Sequence, residues 1–185
     1  MDSRLSLGTN GMMQYTVTDE DKEETKRIFA DMYPETNLLN KHTVYAREES
    51  RMAGILGEIV FANLHPKAIK STTDLSYDFL LNDLKIDVKC KYRKRFPLMH
   101  FQASVFLYQV GDEFNANFYY FMSTIPTLEH VWLCGGIYKD EMKTHTKSET
   151  WRSGETDSSN GMTFRKDTLC LNYSYLYHDQ LEEKE

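Results

Sequence analysis

Residues 77–92 read YDFLLNDLKIDVKCKY, and no other stretch of the 185-residue chain restricts its fold as strongly. Two apolar runs, Tyr77 to Leu81 and Leu84 to Tyr92, flank Asn82-Asp83. Asn and Asp tolerate the left-handed backbone that tight two-residue turns demand, so the stretch predicts a β-hairpin. The second run alternates. Strand side chains have a period of two, which puts Ile86, Val88, Cys90 and Tyr92 on one face and Lys85, Asp87, Lys89 and Lys91 on the other. Asp87 and Lys89 become neighbours on a strand whose back is apolar, and Asp78 on the first strand reaches them in the right register. An ordinary solvated strand also alternates Lys with Asp, so this pattern alone assigns no chemistry.

A third acidic group sharpens the reading. The stretch GILGEIVFANL, 54–64, has a helical pattern and carries Glu58 among Ile55, Leu56, Ile59, Val60 and Phe61. A carboxylate there is costly to bury without a cation or hydrogen-bond partner. A cluster of Glu58, Asp78, Asp87 and Lys89 supplies one.

Gly57-Glu58 on a helix, then Tyr77-Asp78, then Asp87-Val88-Lys89, taken in that order, resembles the PD-(D/E)xK nuclease superfamily, and within it the compact nucleases of phage and prokaryotic type. The resemblance covers residues 50–137 well and the tail loosely. Tyr77 stands where the name motif has Pro, a position without a chemical role. The resemblance implies a restriction-endonuclease-like α/β core, a mixed central β-sheet flanked by helices. It implies that Glu58, Asp78, Asp87 and the Val88 carbonyl hold Mg²⁺ or Mn²⁺, and that Lys89 positions or activates the attacking water. Gln109 falls where related nucleases place an amide near the active site, although an amide at a strand end is more often a turn contact. The implied activity is Mg²⁺-dependent endonucleolytic hydrolysis of DNA. An exonuclease or junction resolvase would use the same centre, and a DNA-binding module would keep the fold without catalysis.

The chemistry suits these residue types. Mg²⁺ prefers hard oxygen ligands and retains several waters, so two or three carboxylates serve it. An ammonium two residues along the same strand face can hydrogen-bond the attacking water.

The formal net charge of −6 argues against a binder held by charge alone, so local distribution matters more. Lys85, Lys89, Lys91, Arg93, Lys94 and Arg95 make a dense basic segment, while acid concentrates in 19–25 and in the LEEKE tail. Lys91, Arg93, Lys94 and Arg95 are therefore candidates for meeting DNA phosphates, with Lys91 equally readable as a solvated lysine. Arg51 shares a helix face with Arg47, Gly54 and Glu58 and either contacts DNA or pairs with Glu48. Gly54 and Gly57 are poor helix formers, which suggests close approach by a backbone or a ligand, with tight packing the simpler account of Gly57.

The remaining chain predicts one domain over 13–185, with 1–12 a flexible N-terminus. A capped helix starts after Thr18-x-x-Asp21, carries Ile28, Phe29 and Met32 as an apolar stripe, and stops near Tyr33 before Pro34. A second helix runs from about Arg47 to Leu64. Strands are expected at about 77–81, 84–92, 101–109, 117–123 and 128–137, with a short helix within 139–151, a polar loop and a last strand in DTLCLNYSYL. Cys90, Cys134 and Cys170 fit no zinc spacing and read as reduced core residues of a cytoplasmic protein, and the resemblance implies a phage or prokaryotic host cell. No apolar run approaches the ~20 residues of a membrane span, and the first residues lack a signal-peptide layout. The partner expected is DNA, and a homodimer is left open.

Overall fold

The computed structural model describes residues 3–34, 41–159, 161–178 and 181, and for 41–47 the backbone alone. It is a mixed α/β structure. A seven-stranded sheet packs against helices, and two small sheets complete it.

The chain runs β1 (Leu5–Leu7), β2 (Met13–Thr16), α1 (Asp19–Met32), α2 (Lys41–Leu64), β3 (Ile69–Lys70), β4 (Phe79–Leu81) and β5 (Leu84–Tyr92). It continues through β6 (Gln102–Phe106), a 3₁₀ turn (Leu107–Val110), β7 (Phe118–Thr124), β8 (His130–Tyr138) and α3 (Lys139–Thr144). The last strands are β9 (Glu149–Trp151), β10 (Thr156–Asp157), β11 (Met162–Thr163) and β12 (Thr168–Asn172), followed by a 3₁₀ turn (Tyr173–Tyr175). The large sheet has the order β1-β2-β8-β7-β5-β4-β3, with β5 and β7 parallel and the other neighbours antiparallel.

The β4–β5 hairpin forms as its sequence dictates. Asn82 and Asp83 adopt φ of 47° and 65°, and Leu81 faces Leu84 while Phe79 faces Ile86. β7 and β8 are central, and every residue of β7 is buried, in keeping with their continuous apolar character.

Each face of the large sheet has its own core. On one side Leu56, Val60 and Phe61 of α2 meet Ile86, Val88, Tyr120 and Met122. Gly57 lets that helix come close, since a Cβ there would collide with the Cβ of Cys90. On the other side Tyr119, Phe121 and Trp132 meet Ala103, Val105, Leu169 and Leu171, which belong to a three-stranded sheet of order β6-β12-β9.

The structure departs from the expected elements in several places. The segment 101–109 does not extend the central sheet. Only Gln102–Phe106 is strand, and it pairs with β12, Phe106 opposite Thr168. The chain then leaves extended geometry because the Gln109 side chain accepts the Phe106 N–H (3.1 Å) and Asp167 O accepts the Leu107 N–H (2.9 Å). Within the segment expected to be a flexible N-terminus, Leu5–Leu7 pairs with Met13–Tyr15 and Met12 is buried. α1 does not bury an apolar stripe. Met32 is 58% exposed, and the buried residues of α1 are Asp21 and Thr25. Asp21 closes the capping box with Thr18 and also accepts from Tyr15 Oη (3.1 Å) and Asn63 Nδ2 (2.8 Å), so a polar knot ties α1 to β2 and α2. The expected polar loop after Trp151 contains the short β10–β11 hairpin, with Asp157 buried. α2 begins at Lys41, earlier than Arg47, whose side chain lies outside the described residues, as do residues 1 and 2 and the LEEKE tail beyond Leu181.

Cys90, Cys134 and Cys170 are all free thiols. Among the described residues, no helix is long and apolar enough to cross a membrane.

Candidate active site

β4 pairs with β5 only through residues 84–86, so beyond Ile86 one edge of β5 is released from the ladder. Asp78 sits at that point. Its N–H donates to Ile86 O (2.8 Å), its carbonyl accepts from Ser71 N (2.7 Å), and its carboxylate accepts the freed Val88 N–H (2.7 Å). A strand residue sends its N–H and C=O out of the same edge, so the Val88 carbonyl leaves β5 on the side of Asp78. The loop before Asp78 is held by Asp74, which accepts from Ser76 N (2.9 Å) and Asn115 Nδ2 (2.8 Å).

Asp87 and Lys89 project from the face of β5 opposite α2, as the strand period requires. Lys89 Nζ lies 2.7 Å from Asp87 Oδ2, and the Asp87 side chain is only 6% exposed. Gln109 Nε2 donates to the same Asp87 oxygen (3.4 Å), while Tyr119 Oη donates to the Gln109 carbonyl (2.7 Å). The 3₁₀ turn after β6 thus carries Gln109 into contact with the site, and both readings of that residue meet here, because the same amide also caps a turn.

Burial pushes the Asp78 carboxyl up to about 6, with the neighbouring Asp87 charge adding to the effect. Asp87 is also raised by burial, opposed by Lys89. Two neighbouring, partly desolvated acids are unfavourable when both are ionised, so this pair gains from a cation placed against it.

Glu58 approaches from the helix side. Burial raises it, and the Asp78 charge raises it further. Its direct partner is Lys70 Nζ at 3.0 Å. The three carboxylates expected to converge on a metal do not form one closed group. Among the described residues, no three His, Cys, Asp or Glu side chains converge in that way. Glu58 is paired with Lys70 on the helix side, which gives it an opposite charge without a shared ion. Mg²⁺ needs less than a closed cage, one or two carboxylates with waters and substrate oxygens completing its shell, and Asp78 with Asp87 and the Val88 carbonyl fits that donor set.

A cavity of about 300 Å³ opens beside Lys89, lined by Gly54, Lys91, Ser104, Phe106 and Gln109 among others. A Cβ at Gly54 would meet nothing within 4 Å, so this glycine borders open space where Gly57 is packed shut.

The cations divide. Lys94 and Arg95 are exposed, Arg95 leaning over the Phe101 ring. Arg93 is not a free phosphate binder. Its guanidinium donates to Gln102 O (3.1 Å), Tyr173 Oη (2.8 Å) and Ser123 Oγ (3.2 Å), joining the large sheet to β6 and the chain after β12. Lys91 likewise turns inward to Gln102 O (3.2 Å), and burial, with Arg93 nearby, brings it down to about 8. Both are diverted because the second sheet presents carbonyls and a phenol to the end of β5. Arg51 is exposed but lies over the Tyr33 ring at 4.2 Å, which accounts for it through α1 packing. Sequence reasoning missed Lys70, Ser104 and Phe106 as neighbours of the site. Lys70 occupies a two-residue strand with no periodicity, and the other two reach the site only through sheet placement.

Compared with protein-family models, with curated proteins and with solved structures, the chain matches none.

Proposed function

We propose that this chain is a Mg²⁺- or Mn²⁺-dependent endodeoxyribonuclease with a restriction-endonuclease-like core. The observation that carries the proposal is the placement of two acids and a lysine around Val88: Asp78 accepts the Val88 N–H (2.7 Å), and Asp87, its side chain 6% exposed, lies 2.7 Å from Lys89 Nζ. A surface strand with mixed charges has no reason to bury Asp87 beside a second acid, since desolvating such a charge costs stability. The order helix Glu, strand Asp, strand Asp-x-Lys agrees with the PD-(D/E)xK pattern.

A bound divalent ion would supply Lewis-acid stabilisation of the phosphoryl oxygens and a more acidic water. The chain's own residues do the rest. Asp78 and Asp87 supply anionic oxygens, and Gln109 restrains Asp87 from behind. Lys89 donates a proton toward a water or phosphate oxygen entering the cavity beside it, fixing its direction of approach. Lys94 and Arg95 meet the backbone of the strand outside the site.

One observation favours a second reading. Glu58 is engaged by Lys70, which is also what a DNA-binding module that has lost catalysis would show. Exonucleolytic and junction-resolving activities belong to the same centre as the leading reading.

The test is incubation of the purified chain with circular, linear, branched and single-stranded DNA in Mg²⁺, in Mn²⁺ and in EDTA. Cleavage in both metals and none in EDTA is expected. DNA binding without cleavage of any substrate would move the assignment to the second reading.

A further inference from the structure

Phe106, a wall of the cavity that holds Lys89, and Tyr108 beside it are large aromatic residues left 39% and 59% exposed. They are not scattered. Their ring centroids lie 5.8 Å apart with planes inclined by 19°, a stacked pair. Phe114 braces Tyr108 edge-on at 6.2 Å. Exposed Lys166 holds its Nζ 5.1 Å from the Phe106 ring and 5.8 Å from the Tyr108 ring. The platform is rigidly linked to the catalytic cluster, because the Gln109 side chain accepts the Phe106 N–H and donates to Asp87.

What fits such a surface is a flat apolar ring carrying an anion within reach of a lysine. A nucleobase with its phosphate has that chemistry. In an uninterrupted duplex each base face is already covered by its neighbours, so only an unpaired or splayed base can stack on a side chain. We infer that Phe106 and Tyr108, with Lys166 neutralising the adjoining phosphate, receive an unpaired base next to the bond presented to Lys89, and that the preferred substrate is single-stranded or locally unpaired DNA. This inference rests on the nuclease reading and names its substrate class. The turn that carries Gln109 to Asp87 also stacks Tyr108 on Phe106 beside the cavity.

The experiment measures binding of the full chain in EDTA to a short single-stranded oligodeoxynucleotide, to its duplex, and to single strands with one base removed at each position in turn. The wild type should prefer the single strand, and one or two abasic positions should weaken binding roughly ten-fold, the range of a single base–aromatic stack. Phe106→Leu and Tyr108→Ala should each flatten the abasic profile at those same positions. Tyr108 is mostly exposed, so its variant should keep the wild-type melting temperature, and loss of the profile then reports stacking. An abasic scan with no sensitive position, or an unchanged profile in both variants, overturns the inference. Because binding is read in EDTA, it stands apart from cleavage. Metal-dependent cutting of duplex with a flat scan removes the platform and keeps the nuclease, whereas a sensitive scan in a protein that never cuts keeps the platform and removes the nuclease.

Discussion

The two faces of the large sheet have different tasks. The face under α2 is a dry apolar core in which Gly57 is pressed against Cys90. The opposite face begins as an equally dry core under the β6-β12-β9 sheet, but at β5 it turns polar, carrying Asp87, Lys89 and Lys91 beside a cavity. Burial under the helix stabilises the fold. On the other face burial raises the Asp78 and Asp87 carboxyls, which is where the proposed chemistry would act. β5 serves both faces through its alternation.

Substitutions can break the contrast. The largest effect is expected at the acids. Asp78→Asn and Asp87→Asn should each lower cleavage by about a thousand-fold or more, the scale of losing charge stabilisation at a reacting phosphate. In EDTA they should leave melting unchanged or raise it by a few degrees, because one of two neighbouring, partly desolvated acids is gone. A drop of many degrees in the melting scan would mean that the pair is structural.

Arg93 comes next, with a stability effect rather than a catalytic one. Arg93→Ala removes hydrogen bonds to Gln102, Tyr173 and Ser123, and should cost about 2–3 kcal/mol in urea unfolding. Neutralising Lys94 and Arg95 together should leave stability within about 0.5 kcal/mol and lower the salt dependence of DNA binding. Equal stability of the two variants would put Arg93 back among the surface cations.

The smallest effect separates two glycines of one helix. Gly57→Ala should destabilise by about 1–3 kcal/mol through overpacking against Cys90. Gly54→Ala opens into free space and should stabilise by up to about 1 kcal/mol through helix propensity. Chemical denaturation of both proteins reads the sign directly.

How much of this was legible in the sequence follows from locality. The hairpin was, because Asn82-Asp83 and a period of two act over a few residues, and the same period put Asp87 and Lys89 side by side. The N-cap at Thr18 was legible for the same reason, but not that Asp21 would also bind Tyr15 and Asn63, which lie on other elements. The partner of β6 was not, since pairing with β12 joins residues some sixty positions apart and leaves no local mark. Arg93 and Lys91 illustrate the same limit. Beside Lys94 and Arg95 they look alike in the sequence, and only the arrival of the second sheet turns them inward. Glu58 was expected beside the two aspartates, but its pairing with Lys70, a residue without pattern, was not legible.

On the nuclease proposal, Lys89 acts on a phosphodiester and does not merely attract DNA. A paired cleavage and filter-binding assay on wild type and Lys89→Ala, in Mg²⁺ and in EDTA, tests it most directly. Cleavage by the variant should disappear while its DNA affinity in EDTA stays within about three-fold of wild type, since one cation among several carries a small part of the phosphate attraction. Cleavage by Lys89→Ala at the wild-type rate would contradict the assignment of this centre.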